Sequence, residues 1–103
     1  MIDLEKLITS AAEIWSVDHD DIVGAATSSR VVSARAACIA CLRRHTDYTY
    51  QEIGDLFGGR SGQAAYLLNL TLDNRMLDPV FKARMNDLCT RNGFPIVVKK
   101  VKR

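Results

Sequence analysis

The run from Thr49 to Asn74 holds two helix starts separated by a Gly-Gly pair, and this spacing constrains the fold more than any other feature of the chain. Thr49 and Glu52 have the Thr-x-x-Glu spacing of a capping box, so a helix is expected to begin at about Tyr50. Gly58-Gly59 stops it after Phe57, and Ser61 then caps a second helix that continues to about Asn74. Ile53, Leu56 and Phe57 would anchor the short first helix on a core, Gly54 would permit close approach, and the two glycines would permit the reversal. Two helices joined in this way form a helix-turn-helix, whose second helix meets base edges with its N-terminal residues. Here those residues are Arg60, Ser61, Gly62, Gln63 and Tyr66.

The remaining periodicity is also helical, so the expected fold class is all-α: a small helical domain with a final helix and a basic tail. Leu4, Leu7, Ile8, Ala11, Ala12, Ile14 and Trp15 recur at three- and four-residue spacings after Asp3, which predicts an amphipathic first helix with Trp15 in the core. Asp18 to Val23 reads as one or two helical turns before the small-residue loop from Gly24 to Ser29. From Ser29 to about Arg44, Val31, Val32, Ala34, Ala37, Cys38, Cys41 and Leu42 form one face of a central helix. Asp78-Pro79 and Asn92-Gly93 bracket a last helix over 79–91, with Val80, Phe81, Met85, Leu88 and Cys89 as candidate core. Residues 1–94 are therefore one domain, and 95–103 a tail that could pair as an edge strand or order as a basic arm on binding.

Composition narrows the function. The formal net charge of +2 is a sum of two unlike parts: residues 1–29 carry six acids and one base, and residues 30–103 thirteen bases and six acids. A chain of 103 residues can build a helical core without metal or disulfide, so nothing obliges a cofactor or a metal site. Three cysteines, an odd number placed in apolar periodic segments, fit burial in a reducing cytoplasm better than a disulfide framework. Cys38-x-x-Cys41 lacks a complementary Cys/His pair, and His45, after Arg43-Arg44 at a helix C-terminus, suits a cationic role toward the helix dipole. No apolar run spans a bilayer and no signal-peptide pattern opens the chain. No segment gathers a nucleophile, a base and an orienting group, so no catalytic residue is assigned and no enzymatic activity is expected.

The run Glu52-Ile53-Gly54-Asp55-Leu56-Phe57-Gly58-Gly59-Arg60, with Val32-Ser33-Ala34-Arg35-Ala36 upstream, resembles the C-terminal DNA-binding domain of the bacterial replication initiator DnaA, over roughly Ile2 to Leu72. The resemblance implies a small all-helical domain whose helix-turn-helix enters the major groove while the region before the core helix touches the neighbouring minor groove. It places Arg30, Arg35 and Arg60 near DNA. Three departures stand out. The family's Asp-His-Ser/Thr-Thr-Val, which reads thymine methyls and base edges, is here Ser61-Gly62-Gln63-Ala64-Ala65; the Gln of its Arg-Gln pair is Ala36; and its basic loop is Ala25-Ala26-Thr27-Ser28-Ser29, leaving Arg30 at its end. The sequence has no Walker A pattern, so ATP-driven initiation is not expected of this polypeptide.

These readings converge on a non-enzymatic helix-turn-helix transcription regulator that binds duplex DNA in the cytoplasm, associated with the nucleoid. The expected contacts are Arg30, Arg35, Arg60, Ser61, Gly62, Gln63 and Tyr66, with Lys99 and Lys100 from the tail. The chain is also similar in kind to phage-derived regulators, including activators of gene transfer agents whose DNA-binding part is DnaA-like. Leu67 and Leu70 flank the second helix and either pack on residues 79–91 or form a protein-protein patch, for a homodimer, RNA polymerase or another regulator. Two other uses of the fold are an accessory factor competing at initiator boxes and an interaction module that has lost DNA binding.

Overall fold

A computed structural model describes residues 2–95. Seven helices follow one another among them, with no strand: α1 Leu4–Trp15, α2 His19–Val23, α3 Ser29–His45, α4 Tyr50–Leu56, α5 Gly62–Leu70, α6 Leu72–Arg75 and α7 Pro79–Arg91. The fold class is all-α, as the periodicity implies. The tail, with Lys99 and Lys100, lies outside the described residues.

Most boundaries follow from local chemistry. The Asp3 carboxylate accepts from the Lys6 amide to open α1, the Ser28 hydroxyl accepts from Val31 to open α3, and the Asp78 carboxylate accepts from Val80 with Pro79 in the first turn of α7. α3 is the axis of the fold. Ten of its seventeen residues are buried, Val31 and the nine from Ala34 to Leu42, and α1, α2, α4, α5, α6 and α7 all pack against it. Trp15, Phe57, Leu7, Ile22, Ile53, Met85 and Leu88 fill the space around it.

Three expectations are corrected. Residues 61–74 do not form one helix: α5 ends at Leu70, where the Thr71 hydroxyl donates to the Leu68 carbonyl, and a separate turn, α6, follows. Val80 is exposed rather than core, because the buried stripe of α7 runs through Phe81, Met85, Leu88 and Cys89. His45 stacks its ring on Phe94 with centroids 4.4 Å apart, and burial first and Arg44 second push its pKa below the ordinary histidine value, which disfavours the cationic form expected at this helix end.

The cysteines are buried, as their apolar setting predicts. Burial pushes the Cys38 thiol up to about 12 against the opposing pull of Arg35, and a hydrogen bond with Cys89, then burial, raises Cys41. Thiols so held are poor thiolate donors, and no group of metal-ligating side chains occurs among the described residues. No helix among the described residues is long and apolar enough to cross a membrane.

Candidate nucleic-acid interface

The helix-turn-helix is assembled by main-chain contacts. Thr49 Oγ1 accepts from the Glu52 amide at 3.1 Å while Glu52 Oε1 accepts from the Thr49 amide at 2.8 Å, closing the capping box that starts α4. Ile53 and Phe57 plug α4 into the core. Gly58 and Gly59 then turn the chain with φ of 77° and 71°, a region that side chains disfavour. The Arg60 amide donates to the Gly54 carbonyl at 2.9 Å, folding the turn back on its own helix. A Cβ on Gly54 would collide with the Arg60 carbonyl oxygen and lie 2.9 Å from that of Ser61. Gly54 is thus required by the turn itself.

α5 leaves this turn with a cap and a bridge. Ser61 Oγ accepts from the Ala64 amide at 3.1 Å, and Gln51 Oε1 accepts from the Gly62 amide at 3.3 Å. Gln51 Nε2 donates to Asp55, so that amide ties the start of α5 to α4. Of the nine residues of α5 only Ala65 is buried. Gln63, Ala64, Tyr66, Leu67 and Leu70 are exposed, and Arg60 is half-buried beside them. Leu67 and Leu70 are 51% and 57% exposed. A groove of about 430 Å³ between α3 and α5 is lined by Val32, Arg35, Arg60, Ala64, Leu67, Leu68 and Thr71.

Two neighbours of α5 were not legible from the sequence. Tyr50 receives the Asn69 side-chain amide on its hydroxyl at 2.9 Å, meets the Tyr66 ring edge-on at 5.3 Å, and carries the Arg43 guanidinium 4.5 Å above its ring. Arg75 ties α6 to α3 through Ser33 Oγ at 2.9 Å. Neither contact has a short-range pattern, since the partners lie 19 and 42 positions apart.

Arg35 is the principal correction among the expected DNA contacts. It is 2% exposed, and its guanidinium is committed to the protein. Nε donates to the Ile22 carbonyl at 2.7 Å, and Nη2 serves those of Asp21 at 2.8 Å, Ala26 at 2.9 Å and Gly24 at 3.2 Å. A planar fork of donors inside a loop satisfies carbonyls that no helix satisfies. Burial, then the nearby Arg60, lowers its pKa, opposed by Asp21 and Cys38. Arg35 therefore positions the α2–α3 loop. That loop borders the helix-turn-helix: a Cβ on Gly58 would lie 2.8 Å from the Val23 carbonyl, and Gly24 and Ala25 face Gly58, Gly59 and Arg60 across a cleft of about 290 Å³. Arg30, exposed in the first turn of α3, emerges from the same loop.

The structure thus gathers Arg60, Ser61, Gly62, Gln63, Tyr66 and Leu67 about the start of α5, and sets Arg30 at the end of a loop adjoining its turn. The acidic elements occupy a different part of the packing: α1 packs on α2, α3 and α7, whereas α5 packs on α3, α4 and α6.

Comparison with known proteins agrees with this geometry. The family model of the bacterial DnaA protein helix-turn-helix matches residues 4–62, from the first residue of α1 to the first residue of α5. The chromosomal replication initiator protein DnaA of Picosynechococcus sp. is 35% identical over 56 residues, covering 54% of this chain and 12% of that protein. The protein of the same name from Leifsonia xyli subsp. xyli is 31% identical over 70 residues, covering 68% of this chain and 15% of that protein. The chain therefore spans a small part of the length of these relatives. With more than half of its residues matched, including the whole of α4 and the turn that follows it, the chain belongs to the bacterial DnaA helix-turn-helix family.

Proposed function

We propose that this chain binds duplex DNA through α5 in the major groove and acts as a non-enzymatic transcription regulator. The observation that carries the reading is the inverted exposure of α5: the helix buries one residue of nine and turns Gln63, Ala64, Tyr66 and Leu67 of its first two turns to solvent beside Arg60. Major-groove readers need this arrangement, because base edges are met by side chains that the protein core does not claim. Arg60 and Arg30 are placed to meet phosphates on either side, and Lys99 and Lys100 add sequence-independent attraction from the tail. A DNA-binding unit of this kind acts by recruiting or blocking other proteins, with RNA polymerase or another regulator as partner and Leu70 as part of the contact. The changed residues from Ser61 to Ala65 disfavour competition at initiator boxes.

Genome-wide occupancy, paired with transcript levels in a deletion strain, tests the reading. Discrete occupied sites next to genes whose expression changes are expected. Equal affinity for genomic fragments and random duplex at physiological salt would remove sequence-specific regulation.

A further inference from the structure

An exposed stripe on a surface helix is ordinarily charged, and the stripe of α5 is not. Gln63, Tyr66, Leu67 and Leu70 stand at positions i, i+3, i+4 and i+7, with Ala64 beside Leu67, and all five are exposed. α5 contains no Asp, Glu, Lys or Arg at all. Its two amide side chains differ in their commitments: Asn69 is bonded to the Tyr50 hydroxyl, whereas Gln63 faces solvent in the first turn. We infer that α5 selects A·T base pairs, Gln63 reading adenine and the apolar surface of Ala64 and Leu67 reading thymine methyl groups, an inference that rests on the duplex-DNA reading above.

The selection follows from what the major groove displays. Guanine is recognised there through two acceptors that call for Arg or Lys, and cytosine through an amino group that calls for Asp or Glu. α5 offers none of these, and Arg60, the cation at its start, has Nη1 committed to the Phe57 carbonyl at 2.6 Å. Adenine presents an acceptor and a donor side by side, which one glutamine amide satisfies in a bidentate pair, and thymine alone presents a methyl group. Desolvating that methyl against Leu67 is favourable, whereas desolvating a cytosine amino group against the same leucine leaves a donor unpaired. The apolar stripe therefore attracts one pair and rejects the other. Tyr66, held edge-on by Tyr50 beneath Arg43, borders the stripe on the side of α4.

Selection of bound duplexes from a random library by the full chain gives the test, followed by affinity measurements on the selected duplex with each thymine replaced by uracil. An A·T core is expected, with affinity falling about fourfold for each contacted methyl removed. Gln63→Ala should lower the preference for adenine at one position by about tenfold. Leu67→Ala should remove the response to uracil at the thymine that Leu67 covers and leave that at a thymine covered by Ala64, a coupling that a general loss of binding would not produce. Both side chains are exposed, so circular dichroism should show the variants folded. A core of G·C pairs, or indifference to uracil while duplex binding persists, overturns the inference and leaves DNA binding standing. If no duplex is retained and the chain instead forms a dimer that Leu67→Ala disperses, both the inference and the DNA reading fall.

Discussion

Replacing Arg35 by alanine should unfold the α2–α3 loop rather than strip a contact from DNA, and the size of the effect can be worked from its four hydrogen bonds. The Nε bond ends on the Ile22 carbonyl, in a buried setting that water cannot enter freely, and an orphaned buried carbonyl costs about 1–3 kcal/mol. The bonds from Nη2 end on half-buried carbonyls of Asp21, Gly24 and Ala26, which water can regain, so each contributes about 0.5 kcal/mol. Together the loss is about 3 kcal/mol, a large share of the stability of a domain this size. For roughly 100 residues this lowers the melting temperature by roughly 12–24 °C. Thermal and urea denaturation followed by far-UV circular dichroism measures it, with Arg35→Lys as companion: lysine keeps the charge but cannot reach carbonyls spread around a fork, so it should lose most of the same stability. The reasoning is refuted if Arg35→Ala melts within about 3 °C of the parent, as a surface substitution would, while its affinity for DNA falls.

Three further outcomes are expected. Gly54→Ala should cost roughly 3 kcal/mol, since its methyl has only the backbone of Arg60 and Ser61 to displace, and an unchanged urea midpoint would contradict the close approach at the turn. Because burial holds the pKa of His45 below its unfolded value of about 6.5, the unfolded chain takes up the proton first, so His45 withdraws stability as pH falls from about 6.5 toward its lower folded value. His45→Phe, which keeps a ring against Phe94, should flatten the urea midpoint over that window, and an identical pH profile in both proteins would contradict this. Arg60→Ala should weaken binding to all duplexes alike and lower the slope of log affinity against log salt by about one, whereas a changed base preference with an unchanged slope would exclude a phosphate role.

What the sequence made legible is what depends on neighbours within four positions. The caps at Asp3, Thr49, Ser61 and Asp78, the Gly-Gly turn and the apolar stripe of α1 are all local, and each is where the spacing places it. The failures are long-range. Arg35 is expected near DNA from the resemblance to the DnaA domain, whereas its burial depends on four carbonyls 9 to 14 positions away converging on one point. His45 meets Phe94 across 49 positions, which no periodicity records. The break at Thr71 has no glycine or proline to announce it; a hydroxyl bonded back to the Leu68 carbonyl and onward to Arg75 makes it.

At the junction of α4 and α5 main chain rests on main chain. Gly54 touches the backbone of Arg60 and Ser61, and a Cβ on Gly62 would lie 3.1 Å from the Gln51 nitrogen. No layer of side chains lies between the two helices at this point to be repacked, so the pitch at which α5 leaves the protein is insulated from change on its outer face. Positions 63, 64 and 67 are then free to vary at little cost to folding, and a lineage could exchange one target site for another by drift at these few positions while the scaffold stays as it is.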